Sequence, residues 1–561
     1  MMERSLTDRV KALAVRRGMD FVGVASAERF PEAHDPRRHL PEAARVVSIG
    51  AHYPDASVEA AGTGAATYGF IVGEIRRRLN FVALDVAAML ERHGFAALPR
   101  TPLDAEVAAV AAGLGDLGLH GRCLTPEHGP RQSFTAVLTD APLVCDPMYE
   151  GRDLCDACGL CLLGSEVSDD LVEVTIGDRR YRAAPASSLI SEREQSGLRE
   201  EIGEGVAEAV VRVCLPPALR GERRRMPGWS RGVTLRLRGN RQPARAQALT
   251  EDVIALARHG GADLVGIAPV DRLVRVLGVT DPKHVLPGST CVVVLAVHYP
   301  DAAVERALEP PAEAVGPYAF AQWESLRLLG FMAVDVCLLL ERRGFAAVTD
   351  LDLFDTGGLM ATPRGLLPDN WTNAAVAVAA GLGELGLNGL CLTPEFGPRQ
   401  RFISILTDAP LIPSSMYVGP PLCDECGLCV EKCYVRALSA VDRELVDIGG
   451  REFSVAQRDV ARCDWAKKHA LVGAAGPRYL GSRTDVAPPE EITPEAVREA
   501  ERRRDPIQDR HWRGIVEACL RECLPPHLRL RDEGHCSVYR RMREGLGPKD
   551  VGEVGGGVAT G

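Results

Sequence analysis

The feature that most constrains the fold of this chain of 561 residues is an internal repeat. L-E-R-H-G-F-A-A at Leu90 recurs as L-E-R-R-G-F-A-A at Leu340, and A-A-G-L-G-D-L-G-L-H-G at Ala111 recurs as A-A-G-L-G-E-L-G-L-N-G at Ala379. Repeats this long indicate two fused domains, since solenoid units are far shorter. The offset between copies grows along the chain, which places an insertion in the second half around residues 351–369.

A run of cysteines in the second half has the spacing C-x2-C-x2-C-x3-C. Its members are Cys423, Cys426, Cys429 and Cys433. Thiolates at this spacing hold iron–sulfur clusters, and the fourth binds a neighbouring cluster when two are present. A structural zinc site would need two C-x2-C pairs separated by a longer stretch. The run therefore favours iron–sulfur clusters over zinc and over a chance grouping in a loop.

The first half repeats three positions of this run, and each half has a further cysteine in the motif R-x-C-L-P-P. In two-cluster ferredoxins, such a remote cysteine completes the cluster that the first three thiolates begin. We therefore predict two equivalent ligand sets, which are Cys155, Cys158, Cys161 and Cys214 in the first half and Cys423, Cys426, Cys429 and Cys523 in the second.

The second half also has cysteines for one more cluster. Cys433, Cys463 and Cys519 are replaced in the first half by Ser165, about Ser191, and Val210. Cys536 is a candidate fourth ligand, and a three-iron or water-ligated cluster is the alternative. The sequence thus predicts three clusters, one in the first half and two in the second.

Composition and charge are those of a soluble globular protein, with 46% hydrophobic and 25% charged residues. We expect no membrane span, because no sufficiently long apolar run occurs. The N-terminus has neither an apolar signal core nor a twin-arginine signal, so we expect a cytoplasmic protein. Seventeen cysteines would be reduced there, which favours metal ligation over disulfides. The net charge of −10 makes nucleic acid an improbable partner.

These patterns divide the chain into six segments. They are an α/β domain at 1–144, a ferredoxin-like module with one cluster at 145–217, a linker at 218–248, a second α/β domain at 249–412, a module with two clusters at 413–545, and a flexible tail at 546–561. The linker is arginine-rich, and a solvated tether is a more ordinary explanation for it than a surface that grips an acidic partner.

Helical and strand patterns alternate in both halves, which favours an α/β core. Amphipathic spacing predicts helices over 6–17, 70–93 and 320–343, the last two ending before Gly94 and Gly344. A strand is expected at 21–25. Short β-branched runs at 45–50 and 291–296 predict buried parallel strands.

The repeated glycine motif G-x-G-x-x-G comprises Gly113, Gly115 and Gly118, and then Gly381, Gly383 and Gly386. A dinucleotide site would require a preceding strand and a following helix, but a helical pattern precedes the motif and a Thr-Pro pair follows it. Two explanations stay open, a loop that lets a flat ligand approach the backbone and a tight packing contact.

The succession G-E-L-G-L-N-G-L-C-L-T-P-E-F-G-P-R-Q-R-F, T-D-A-P-L and the cysteine run resembles corrinoid-dependent reductive dehalogenases and the related epoxyqueuosine reductases. The resemblance implies a nitroreductase-like α/β cobalamin domain in each half, followed by a ferredoxin-like 4Fe-4S module. It implies a low-potential electron donor, such as ferredoxin or flavodoxin, clusters that feed electrons to cobalamin, and a small-molecule substrate. It places the corrinoid against His298 and Tyr299, and against Asn388, Thr393 and the six glycines.

The chain departs from that family pattern at several positions. Leu119 and Leu387 stand where a basic residue is usual, and Tyr434 replaces a proline. The acid of the epoxyqueuosine branch has no aligned counterpart, although Asp369 is close by.

Candidate acid–base residues are Tyr318, Tyr68, His298, His52 and Asp369. Each also has a structural explanation, as a half-buried anchor, a turn residue or a helix cap. Cys123 and Cys391 are interpreted as buried packing residues.

Two functions follow from these observations. The first is a cobalamin-dependent 4Fe-4S reductase whose second half is catalytic. The second is an electron carrier or corrinoid-reducing partner of a separate methyltransferase or reductase, and the missing family acid and basic residue favour it.

Overall fold

The computed structural model describes most of the chain. The described residues are 2–60, 67–159, 161, 171–184, 211, 214, 223–225, 234–236, 246–274, 276, 282–307, 315–350, 359–362, 365–368, 373–433, 435–469, 486–503, 518–530 and 540–541. None of the helices in these ranges combines the length and apolarity needed to cross a membrane.

In the described residues of the first half there are four α-helices and eight strands. The helices are α1 (Met2–Arg16), α2 (Asp55–Ala60), α3 (Thr67–Arg92) and α4 (Ala105–Ala111). The strands are β1 (Phe21–Ser26), β2 (Arg45–His52), β3 (Ala97–Pro99), β4 (Asp116–Leu117), β5 (Cys123–Leu124), β6 (Gln132–Thr139), β7 (Val172–Ile176) and β8 (Arg179–Ala183). Within the basic linker, β9 (Arg223–Arg225) pairs with β10 (Thr234–Arg236).

The second half has the same elements in the same order, with additions. Its helices are α5 (Ala246–His259), α6 (Pro282–Val285), α7 (Asp301–Arg306), α8 (Val315–Arg342), α9 (Asn373–Ala379), α10 (Leu428–Glu431), α11 (Val460–His469), α12 (Pro494–Arg502) and α13 (Ala518–Arg521). Its strands are β11 (Leu264–Pro269), β12 (Cys291–His298), β13 (Ala347–Asp350), β14 (Leu359–Thr362), β15 (Gly365–Pro368), β16 (Glu384–Leu385), β17 (Cys391–Leu392), β18 (Gln400–Thr407), β19 (Leu438–Ile448), β20 (Arg451–Arg458), β21 (Arg529–Leu530) and β22 (Arg540–Arg541).

Each half is built on a four-stranded sheet. The orders are β1-β2-β6-β3 and β11-β12-β18-β13, and the long central pairs match as well, since Arg45 faces Thr139 and Cys291 faces Thr407. The part of the predicted insertion that the structure describes is the β14–β15 hairpin.

All pairings in both sheets are antiparallel, so the prediction of parallel strands is wrong. The error has a physical cause. Alternate residues of β12 enter two different cores, with Val292 and Val294 on one face and Val293 and Leu295 on the other. Helices therefore cover both faces of β12. A strand that is buried on both faces has a continuous apolar sequence whether it is parallel or antiparallel to its neighbours, so the sequence does not indicate the strand direction.

The predicted long helices are confirmed, and their ends follow the expected chemistry. Helix α3 ends two residues before Gly94 and helix α8 two residues before Gly344, and these glycines have φ angles of +87° and +84°. This left-handed conformation at a helix C-terminus is one that glycine adopts without strain.

The two halves pack against each other through α3, α8 and α2. Val334 and Leu338 of α8 join the apolar core of the first half. Arg78 forms an ion pair of 2.7 Å with Asp335. The carboxylate of Glu341 accepts hydrogen bonds from the backbone N–H of Asp55 at 3.0 Å, which ties the start of α2 to the second half.

Candidate iron–sulfur centres

The predicted second-half ligands converge on one cavity. Cys423 and Cys426 come from the loop before α10, Cys429 lies in α10, and Cys523 follows α13. The other residues that line the cavity are Leu387, Asn388, Leu422, Asp424, Gly427, Glu522, Leu524 and Arg529. Thiols separated by about a hundred positions thus face the same space.

Proximity of the four thiols is also visible in their acidity. Burial, followed by the nearby Cys423 and Cys426, raises the pKa of Cys429 to about 11. Burial and the same neighbours, with Cys429, raise the pKa of Cys523. These thiols ionise readily only beside positive charge, which a metal cluster supplies. The donor set therefore fits an iron–sulfur cluster.

Hydrogen-bond donors point at the sulfur atoms. The backbone N–H of Leu387 donates to Cys423 Sγ at 3.4 Å, and that of Ala437 donates to Cys433 Sγ at 3.3 Å. Arg529 lies 3.9 Å from Cys426 Sγ and is held there by Asp424. Donors of this kind stabilise thiolates in cluster sites.

No group of three or more His, Cys, Asp or Glu side chains in the described ranges is arranged to hold a single metal ion. This contrasts with the convergence of four thiols on one cavity. In an iron–sulfur cube each thiolate binds a different iron, so the sulfurs stand further apart than the ligands of one ion. The lack of a single-ion site in these ranges is therefore compatible with an iron–sulfur cluster at this cavity.

The remaining second-half cysteines are less closely grouped. Cys433 and Cys519 pack against the apolar cluster that contains Leu387 and Cys429. Cys463 lies in α11, and Cys536 is outside the described residues. A second cluster in this half stays a prediction.

Of the four predicted first-half ligands, three are shown to be close to one another. Burial, then Cys155 and Cys158, raise the pKa of Cys161 to about 11, so these three thiols are neighbours. The fourth predicted ligand, Cys214, is remote from these three in sequence. Its Sγ is 3.2 Å from Nε2 of His120. Burial and the nearby Arg122 lower the pKa of His120 to about 3, so the imidazole is neutral.

The glycine motif positions the cysteine loop. Glu384, which follows Gly383, accepts a hydrogen bond of 2.9 Å from the N–H of Leu422, the residue before Cys423. In the first half Asp116 accepts the equivalent bond from Leu154 at 3.4 Å. An acidic side chain between the glycines thus fixes the start of each cysteine run.

The glycines themselves pack against the chain. A Cβ atom on Gly113 or Gly381 would lie 2.0 Å from the carbonyl oxygen of Pro147 or Ser415. A Cβ atom on Gly115 would lie 2.0 Å from the carbonyl oxygen of Leu124 in β5, and one on Gly383 would lie 1.8 Å from that of Leu392 in β17. Gly118 faces the side chain of His120, and Gly386 faces that of Leu392. Tight packing accounts for all six, and their contact with a corrinoid remains a prediction.

Three of the other predicted cofactor and acid–base residues, His298, Tyr299 and Tyr318, lie around the end of β12. His298 stacks on Phe396 with ring centroids 4.3 Å apart, and its Nε2 is 3.5 Å from Asp301. Tyr299 and Tyr318 are both 1% exposed, with ring centroids 6.2 Å apart.

Hydrogen bonds engage most of their polar atoms. The Tyr318 hydroxyl accepts a hydrogen bond of 3.0 Å from Gln322. Thr393 Oγ1 accepts from the N–H of Phe396 at 3.1 Å, and Asn388 donates to the carbonyl oxygen of Cys519 at 3.2 Å. Asp369 lies outside the described residues, and Tyr68 is in α3. His52 mirrors His298 in the first half, with Nδ1 2.7 Å from Asp20.

Cys123 and Cys391 are buried at 0% and 2% exposure, which agrees with a packing role. Sequence reasoning overlooked two features. One is the contact between His120 and Cys214. The other is a buried arginine in each half, Arg131 and Arg399, for which the repeated G-P-R-Q motif was the available signal.

Comparison with known proteins confirms the family resemblance at the level of sequence. A tetrachloroethene reductive dehalogenase of Desulfitobacterium hafniense is 38% identical over 84 residues, which is 15% of each chain. An epoxyqueuosine reductase of Staphylococcus aureus is 28% identical over 164 residues, or 28% of this chain and 38% of that protein. The chain thus spans less than two thirds of the length of the curated relatives it matches. No family model matches.

Solved structures of the same two kinds are also similar. A reductive dehalogenase described in connection with B12-dependent dehalogenation has a TM-score of 0.34 and 17% identity, covering 91% of this chain and 76% of that one. An epoxyqueuosine reductase bound to a tRNA stem loop has a TM-score of 0.24 and 19% identity, covering 34% and 53%.

Proposed function

We propose that this protein is a tandemly duplicated iron–sulfur oxidoreductase that passes low-potential electrons to a corrinoid, which reduces a small organic substrate. The observation that carries the iron–sulfur part is the convergence of Cys423, Cys426, Cys429 and Cys523 on one cavity. The relatives named as reductases support the oxidoreductase class. A ferredoxin or flavodoxin is the proposed electron donor.

In this proposal the protein holds each cluster by thiolates and sets its environment. Leu387 N–H and Arg529 are donors toward sulfur, and Glu384 fixes the loop that carries Cys423. Such donors and the burial of the site determine how readily a cluster accepts an electron.

The corrinoid part has different support, because it comes from the family resemblance. The Cβ sides of Gly113, Gly115, Gly381 and Gly383 are filled by backbone carbonyl groups, and those of Gly118 and Gly386 by side chains. Contact of these glycines with a corrinoid therefore stays a prediction, and we derive no step through it.

That finding favours a second candidate function. In it the protein is an electron-transfer or corrinoid-reducing partner of a separate methyltransferase or reductase. Tyr318, one of the candidate acid–base residues, is 1% exposed and hydrogen-bonded to Gln322, which suits a structural role.

Anaerobic preparation with iron, sulfide and cobalt analysis tests both functions. The iron–sulfur proposal predicts roughly eleven to twelve iron atoms per chain from three clusters. Substitution of Cys423 and Cys426 by serine removes part of this iron, whereas Cys145→Ser, outside both motifs, keeps it. Bound corrinoid that turns over with added substrate supports the first function, and low-potential clusters without corrinoid support the second. Zinc in place of iron would refute both.

A further inference from the structure

His120 is a buried side chain beside a predicted cluster ligand, and the proposed function does not use it. Its exposure is 2%, and its Nε2 lies 3.2 Å from Cys214 Sγ. Gly118 makes room for it, because a Cβ at that position would lie 2.9 Å from the imidazole Cε1.

The hydrogen bonds of the ring assign its proton. Nδ1 accepts a hydrogen bond of 3.1 Å from the backbone N–H of Arg122, so this nitrogen carries no hydrogen. In a neutral imidazole the other nitrogen then carries it. The hydrogen on Nε2 therefore points at the sulfur of Cys214, and the tautomer follows from the bonding pattern.

The equivalent position in the second half is different. Asn388 keeps the turn contact, since its Oδ1 accepts from the N–H of Leu390 at 3.1 Å. Its amide Nδ2, however, donates to the carbonyl oxygen of Cys519 at 3.2 Å. A side-chain donor to sulfur at this position is thus a property of the first half.

A hydrogen bond to a ligand sulfur stabilises the state with more negative charge. One-electron reduction of a cluster adds one negative charge, which spreads partly onto the thiolate sulfurs. Hydrogen bonds to charged groups inside proteins are stronger than neutral ones, and the low surrounding dielectric strengthens them further.

We propose that His120 is a positioning residue that donates a hydrogen bond to Cys214 and raises the reduction potential of the first-half cluster. The proposal rests on the iron–sulfur part of the proposed function. At the equivalent position of the second half, Asn388 donates to a backbone carbonyl oxygen instead, so this adjustment belongs to the first-half cluster alone.

Two substitutions distinguish an effect of the hydrogen bond from an effect on folding. His120→Asn keeps the acceptor for Arg122 N–H, as Asn388 shows for Leu390, and removes the donor to sulfur. His120→Gln places an amide donor near the position of Nε2. The full-length protein, loaded with iron and sulfide without oxygen, is titrated with dithionite and mediators, and reduced clusters are followed by electron paramagnetic resonance. Cys155→Ser identifies the first-half signal as the one that disappears.

We expect His120→Asn to lower the midpoint potential of that signal, by about tenfold in the one-electron equilibrium constant, or about 59 mV. His120→Gln should restore most of the shift, and iron content should be unchanged in both variants. An unchanged potential with full iron content overturns the inference and leaves the proposed function intact. Loss of the first-half cluster in His120→Asn also overturns it, because His120 would then be needed to hold the cluster rather than to adjust its potential. If Cys155→Ser removes neither iron nor a signal, the first-half cluster itself is refuted.

Discussion

The guanidinium of Arg399 lies 3.1 Å from the carboxylate of Asp301, and the two side chains are 0% and 6% exposed. Arg399 also pairs with Glu305 at 2.9 Å and donates to the carbonyl oxygen of Arg521 at 3.2 Å. Arg521 lies between Cys519 and Cys523. The first half has the same arrangement, in which Arg131 pairs with Asp55 and Glu59. A buried ion cluster thus supports the segment that supplies the remote thiolates.

Removing this guanidinium should be costly. Arg399→Ala removes the guanidinium from the buried carboxylate of Asp301 and the partly buried one of Glu305, so we expect a loss of about 3–5 kcal/mol in the free energy of unfolding. Denaturant unfolding measures it. Arg502→Ala is the matched control, since Arg502 pairs with Glu499 on the surface and contributes little. A similar stability for both variants would contradict the structural role of Arg399.

The contact between the halves should respond to pH through Glu341. Burial, and then the nearby charge of Asp55, raise the pKa of Glu341 to about 8 from the ordinary value of 4.5. The folded state therefore binds a proton that the unfolded state releases between these values. Stability from this group is present below pH 4.5 and is lost as the pH rises toward 8.

The test compares the pH dependence of unfolding in two variants. Glu341→Gln should abolish this part of the decline. Glu91→Gln changes the equivalent exposed position of the first half, and it should follow the wild-type curve. Identical pH profiles for wild type and Glu341→Gln would rule out a protonated Glu341 in the fold.

Much of this architecture could be predicted from local sequence patterns. Amphipathic spacing and a following glycine predicted α3 and α8. The spacing of the cysteines predicted that Cys423, Cys426 and Cys429 belong to one ligand set. Strand direction could not be predicted, because burial of both faces of β12 produces the same apolar run in either direction. The contact between His120 and Cys214 depends on tertiary packing between segments 94 positions apart, which leaves no local pattern.

The glycine motif offers a direct test of packing against ligand binding. Ala at position 383 would place its Cβ 1.8 Å from the Leu392 carbonyl oxygen, so Gly383→Ala should destabilise the fold or displace β17. Gly73→Ala in α3 meets no atom within 4 Å and should stabilise the protein by up to about 1 kcal/mol. Thermal unfolding of both variants, prepared without corrinoid, separates the two explanations. Unchanged stability in Gly383→Ala would contradict the packing explanation for this glycine.

Substitution of Cys523 tests whether this remote cysteine is a ligand of the cluster proposed at the cavity. Cys523 lines the cavity with Cys423, so Cys523→Ser should disturb that cluster and release up to about four iron atoms. Cys391→Ser is the control, because Cys391 is buried at 2% exposure in β17, away from the cavity lining. Iron analysis and visible absorption of anaerobic preparations measure the difference. Equal iron in the two variants would show that Cys523 is not a ligand, and the convergence of these thiols would then need a different chemical explanation.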